Sequence, residues 1–171
     1  NNIILFLLVG IICATEIRPL SLRPFDVNSS GVVYGRGSYV IVLPTEASEF
    51  YLTSSNGGDF VAFKKSQGYI VKIVYLDSIA NGTPVATDLK NHLMDMKAED
   101  PMIEYVLLVG DVNGPYAIPT FTIPSYNELE IDVQDYEYTY LDEYENPEFF
   151  LGRWPIQNGD ELQKMKVRSI Q

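Results

Sequence analysis

The sequence predicts an α/β fold: a doubly wound, mostly parallel sheet with helices on both faces. Three observations predict it. Strand and helix signals alternate between residues 38 and 111. The run "YVLLVG" at residues 105–110 is apolar at every position but the last, as expected of a parallel strand covered by helices on both sides. The order strand, helix, strand, helix, strand calls for right-handed crossovers, which place helices on the two faces of one sheet.

Each element carries its own signals. "SYVIVLP" at residues 38–44 is β-branched and closed by proline, a buried-strand pattern. "DFVAFKKSQG" at 59–68 has Asp59 as cap, cations in its last turn and Gly68 at its stop, which predicts a helix. "YIVKIVYL" at 69–76 is the second strand. "TPVATDLKNHLMDMKAED" starts a helix with Thr83 as N-cap and Pro84 at the first helical position, and Val85, Leu89, Leu93 and Met96 form its apolar stripe. "YVLLVG" is the third strand. Beyond Asp111, "YAIPTFTI", "YEYTYLD" and "FFLGRWP" are strand-like. In a strand, Tyr136, Tyr138 and Tyr140 would project from one face. "NGDELQKMKVRSIQ" predicts an amphipathic helix with Asn158 as N-cap and Glu161 completing a capping box. Leu162, Met165, Ser169 and Ile170 share its face. "GVVYGRG" at 31–37 precedes the first strand, so it is a flexible lead-in and not a dinucleotide-binding loop.

The chain has 171 residues, 46% hydrophobic and 20% charged, enough for one domain with a core. Its formal net charge is -11. With no basic patch to neutralise phosphates, nucleic acid and anionic membrane surfaces are excluded as partners. No Lys or Arg occurs from residue 98 to 152, while carboxylates crowd residues 128–148. That stretch contains oxygen ligands suited to Ca²⁺, and Asp132, Asp135, Asp142 and Glu143 are its metal-ligand candidates. No EF-hand spacing supports them, and the bland alternative is a solvated acidic face. Arg153 is the first cation after this tract and is expected to be buried against one of its carboxylates as a bidentate fork.

The nucleophile inventory is short. Cys13 and His92 are each the one residue of its type, so a disulfide and a Cys/His metal cluster are excluded. His92 falls on a helix beside the apolar stripe, where a structural histidine is expected. No catalytic or cofactor-binding residue is assigned. Asp111 ends a strand at the edge where open α/β sheets hold ligands. Its bland role, capping the turn that follows by accepting from backbone N–H groups two residues on, is the expected one.

"NNIILFLLVGIICA" matches a signal-peptide apolar region in length and is short for a membrane span. Residues 1–14 are read as a signal peptide truncated at its N-terminus, with an uncleaved anchor as the alternative. Residues 15–37 are then a lead-in and 38–171 the folded unit.

Taken in order, "YVLLVGDVNGPYAIP", "QDYEYTYLDEYENPEFFLGRWPI" and "NGDELQKMKV" resemble the gingipain family of cysteine peptidases, peptidase family C25. The matching positions include Leu107, Val109, Gly110, Asp111, Ile118, Pro119, Asp135, Tyr136, Tyr138, Leu141, Asp142, Pro147, Gly152, Arg153 and Leu162. The resemblance covers residues 38–171. It implies a caspase-like α/β fold, export to the surface or surroundings of a bacterium, and endopeptidase activity on polypeptides in the full-length parent. The family's catalytic domain has two α/β subdomains, with a His-Gly and a Cys forming the dyad in the second. This chain matches the first and is read as cut before the second, which would be its partner. Neither His92 nor Cys13 aligns with the dyad. Family members bind calcium, but the resemblance carries no ligand over to a particular residue. Two alternatives stay open: an inactive or sortase-like family member, and a flavodoxin-like module binding Ca²⁺ or another ligand through Asp111 and the acidic stretch.

Overall fold

The computed structural model describes residues 26–27, 33–80, 83–125, 131–140 and 146–170. The segment read as a signal peptide lies outside them, as do Asp142 and Glu143. Strands β1 (Asp26–Val27) and β2 (Val33–Tyr34) form a short antiparallel ladder. The sheet strands are β3 (Ser38–Leu43), β4 (Ile70–Tyr75), β5 (Ile103–Val109) and, after a hairpin of β6 (Phe121–Pro124) and β7 (Ile131–Gln134), β8 (Phe150–Trp154). The helices are α1 (Glu49–Thr53), α2 (Phe60–Ser66), α3 (Ala86–Glu99) and α4 (Gly159–Ile170).

The sheet order is β4-β3-β5-β8 and every pairing in it is parallel. This is the doubly wound α/β sheet that the alternation predicts. Side-chain alternation along β3 divides the core in two. Val40 and Val42 pack with Val74, Leu89, Leu93, Val106, Leu108 and Tyr138 on the α3 face. Ile41 and Leu43 pack with Leu52, Phe60, Leu107, Val109, Ile156 and Leu162 on the face of α1, α2 and α4. All six residues of Val40, Ile41, Val42, Leu43, Leu108 and Val109 are fully buried, as two-sided coverage of a parallel sheet requires.

Local capping sets two helix starts where the sequence places them. The Asp59 carboxylate accepts from Ala62 N at 2.8 Å, and Gly68 stops the α2 segment in the left-handed region at φ 89°. At α4 the Asn158 side chain accepts from Glu161 N at 3.0 Å, and the Glu161 carboxylate accepts from Gln157 N at 2.8 Å and Asn158 Nδ2 at 3.0 Å.

Several local expectations are corrected. The start of α3 lies two residues beyond Thr83: Val85 is the N-cap, its N–H donates to Asp88 at 2.9 Å, and its side chain is 54% exposed instead of joining the apolar stripe. Val85 has an extended backbone, φ -106° and ψ 169°, and the Asp88 carboxylate closes the first turn on its N–H, so Thr83 and Pro84 lie before the helix. On α4, Ser169 is exposed, and Lys166 is the buried residue one turn beyond Leu162. Its ammonium donates to Ser54 O at 3.0 Å and Ser54 Oγ at 2.9 Å, and burial lowers its pKa. Residues 136–139 form a 3₁₀ turn, not a strand. Tyr138 turns into the core and donates to Pro119 O at 2.6 Å, while Tyr136 and Tyr140 stack edge-on outside with centroids 4.4 Å apart. Burial of the ring with its hydroxyl bonded to a carbonyl outweighs the two-residue alternation. The end of the lead-in docks: Arg36 donates to Tyr69 Oη at 2.8 Å and sits 5.0 Å above that ring. Helix α1 has only five residues, too few to show a period in the sequence.

Candidate functional site

Strand order reverses between β3 and β5, because β4 lies on one side of β3 and β5 on the other. Loops leaving the carboxyl ends of these strands diverge there and open a crevice, the usual ligand position in an open α/β sheet. The cleft measures about 400 Å³. Pro44 and Thr45 line it after β3, Leu76 and Asp77 after β4, and Thr83 and Pro84 before α3. Val112, Gly114, Pro115, Ala117 and Pro119, all from the segment after β5, complete it. Four of these residues are prolines: Pro44, Pro84, Pro115 and Pro119. Among the described lining residues the polar side chains are two hydroxyls and one carboxylate, with no thiol or imidazole.

The segment after β5 folds back tightly. Ile118 N donates to Asp111 O at 2.8 Å, and Ala117 N donates to Gly114 O at 3.2 Å. Gly110 allows the return: a Cβ there would overlap the Tyr116 carbonyl. Asp111 joins the turn to the next element. Its Oδ1 accepts from Val112 N at 2.8 Å, its Oδ2 accepts from Gln157 Nε2 at 2.8 Å, and its own N–H donates to Ile156 O at 3.0 Å. The capped N–H is therefore one residue on, not two, and the second partner comes from beyond β8. These bonds, the Gln157 contact first, hold the Asp111 carboxyl below its usual pKa.

Arg153 lies behind that loop at the carboxyl end of β8. Its Nε donates to Asp135 Oδ2 at 2.7 Å and its Nη2 to Asp135 Oδ1 at 2.7 Å, the fork expected of it. Nη1 also donates to the carbonyls of Gly110 at 3.0 Å, Asp111 at 3.2 Å and Ile118 at 3.0 Å, and Nη2 to that of Pro119 at 3.3 Å. Thr120 Oγ1 donates to Asp135 Oδ1 at 2.9 Å.

Two of the four metal-ligand candidates, Asp132 and Asp135, lie among the described residues. Asp135 is committed to Arg153 and Thr120, and Asp132 is exposed on β7. Among the described residues no three His, Cys, Asp or Glu side chains converge on one point. His92 is a half-buried residue of α3 in a small polar depression with Asp88, Asn91 and Asp95, away from the crevice. Gly110, Thr120 and Gln157 are the residues of this corner to which sequence reading gave no role. A glycine directly after a wholly apolar strand was the signal for the first; the other two carry none.

Fold and site together define a doubly wound α/β unit with a crevice at the carboxyl edge of its sheet. A family model described as "Peptidase family C25" matches residues 34–171, and the chain belongs to that family. Two solved structures are similar. One is described as "Complex of Porphyromonas gingivalis RgpB pro- and mature domains", with TM-score 0.61 and 23% identity, covering 78% of this chain and 28% of that one. The other is "Crystal structure of the Arg specific cysteine proteinase gingipain R (RGPB)", with TM-score 0.61 and 24% identity, covering 81% of this chain and 29% of that one. The chain thus spans less than a third of either structure's length. No curated protein matches it.

Proposed function

We propose that this chain is the non-catalytic N-terminal part of an exported gingipain-like cysteine endopeptidase, and that the full-length protein hydrolyses polypeptides. One observation carries the reading: residues 34–171 match peptidase family C25 on a unit whose described crevice residues include neither thiol nor imidazole. The unit's work is then to pack against a catalytic subdomain and form one wall of its cleft. In the parent, a thiolate attacks the scissile carbonyl, a histidine handles the proton, and backbone donors hold the oxyanion. Neither Cys13 nor His92 takes part. The net charge of -11 fits a polypeptide substrate better than nucleic acid. Export rests on the apolar run at residues 1–14. Among the described residues no helix is long and apolar enough to cross a membrane.

The test uses the full-length gene product and a mixture of fluorogenic peptides. Hydrolysis is expected, is abolished by thiol alkylation, and survives Cys13→Ser and His92→Ala. Loss of activity in either variant, or alkylation-resistant hydrolysis, would refute the assignment. In the same proposal the acidic stretch is a solvated face, so calorimetric titration with Ca²⁺ should give no heat that Asp132→Asn removes.

A further inference from the structure

The crevice wall after β5 has no regular secondary structure of its own, yet it supplies five of the lining residues. Its two stems lie side by side, and one side chain bonds both. Arg153 reaches the outgoing stem at the Gly110 and Asp111 carbonyls and the returning stem at the Ile118 and Pro119 carbonyls. Asp135 takes the remaining face of the guanidinium at 2.7 Å through both oxygens. Only 11% of the Arg153 side chain is exposed. Five N–H donors in a fixed plane serve these acceptors together; a lysine offers three from one point and cannot span them.

We propose that Arg153 is the positioning residue of the crevice: it clamps residues 112–119 into the wall against which an extended polypeptide binds. The clamp itself follows from the geometry; what binds rests on the peptidase reading above. Strands β3 and β5 have their own ladders and two buried clusters, and among the described residues the guanidinium bonds to the loop stems and to Asp135. Losing it therefore frees the wall before it loosens the sheet.

The experiment compares full-length wild type, Arg153→Lys and Asp135→Asn by amide hydrogen exchange and peptide hydrolysis. In Arg153→Lys, exchange across residues 112–119 should rise about tenfold or more, the scale of one lost charge-assisted hydrogen bond, while β3 and β5 exchange as in wild type. KM for a peptide that wild type cleaves should rise with kcat unchanged. Asp135→Asn keeps the carbonyl bonds and should show the same changes in smaller measure; it is the decisive variant if Arg153→Lys does not fold. Unchanged exchange at 112–119, an equal rise in β3 and β5, or a fall in kcat at constant KM would overturn the proposal. If wild type cleaves no peptide, the peptidase reading and the substrate half fail together, and exchange alone decides the clamp.

Discussion

Gly110 and Tyr138 show how single atoms set the carboxyl edge. A methyl group on Gly110 would overlap the Tyr116 carbonyl and come within 2.7 Å of Ile118 Cγ1. Gly110→Ala must push the returning stem outward, and a loss of about 1–3 kcal/mol is expected in denaturant unfolding. Tyr138 is fully buried, and burial raises its phenol pKa. Tyr138→Phe keeps the ring and removes its bond to Pro119 O, a loss of about 1 kcal/mol. A carbonyl already shared with Arg153 is not left wholly unpaired, so a loss well above that would contradict the assignment. Asp111 gives a pH signature. Its folded pKa lies below the ordinary 3.8, so its bonds stabilise the fold above that pH and are lost as pH falls through the lower value. Gln157→Leu should move the Asp111 titration, followed by carboxyl NMR, back towards 3.8; an unmoved titration would exclude Gln157 as the main cause.

Caps decide the helices more than length does. α4 starts at a reciprocal pair, Asn158 and Glu161, which satisfies donors at Gln157 and Glu161. Asn158→Ala should destabilise by about 1 kcal/mol in thermal unfolding. The cost spreads beyond the helix, because Leu162 and Ile156 are both fully or nearly fully buried in the cluster that holds α1 and α2. The excursion from β5 to β8 behaves differently. Its hairpin and 3₁₀ turn are held by side chains, Arg153 to Asp135 and Thr120 to Gln134 O at 2.9 Å, more than by a long backbone ladder. That dependence makes it the element most sensitive to loss of a single charge.

At the scale of the molecule, the sheet's amino end is closed by aromatic rings. Tyr39 stacks on Tyr105 at 5.8 Å, Tyr105 on Phe150 at 5.3 Å, and Tyr69 meets both tyrosines edge-on. Burial, with Tyr69 and Tyr105 nearby, pushes the Tyr39 phenol from 10.0 up to about 12. A raised folded pKa means that its contribution is complete below pH 10.0 and is lost as pH rises towards about 12. Stability measured by urea titration should fall across that interval, and Tyr39→Phe should flatten the fall. An identical pH profile in the variant would locate the effect elsewhere.

The sequence by itself determined the elements with a local cause. Apolar, β-branched runs made β3, β4 and β5, and the run is unbroken where β3 and the end of β5 are covered on both faces, while the edge strand β4 carries Lys72. Asp59 and the Asn158–Glu161 pair fixed helix starts, because a cap acts within three residues. Family membership was legible in the ordered motifs from residue 105 onward. Only the tertiary structure decided what depends on distant partners. It paired Arg153 with Asp135, 18 residues away, out of many carboxylates. It drew Tyr138 inward and so broke the alternation of Tyr136, Tyr138 and Tyr140. It buried Lys166 because Ser54, 112 residues earlier, offers two oxygens. The crevice wall belongs to this second group: its residues are adjacent in the chain, but the guanidinium that holds them arrives from another strand, and only the folded sheet brings it there.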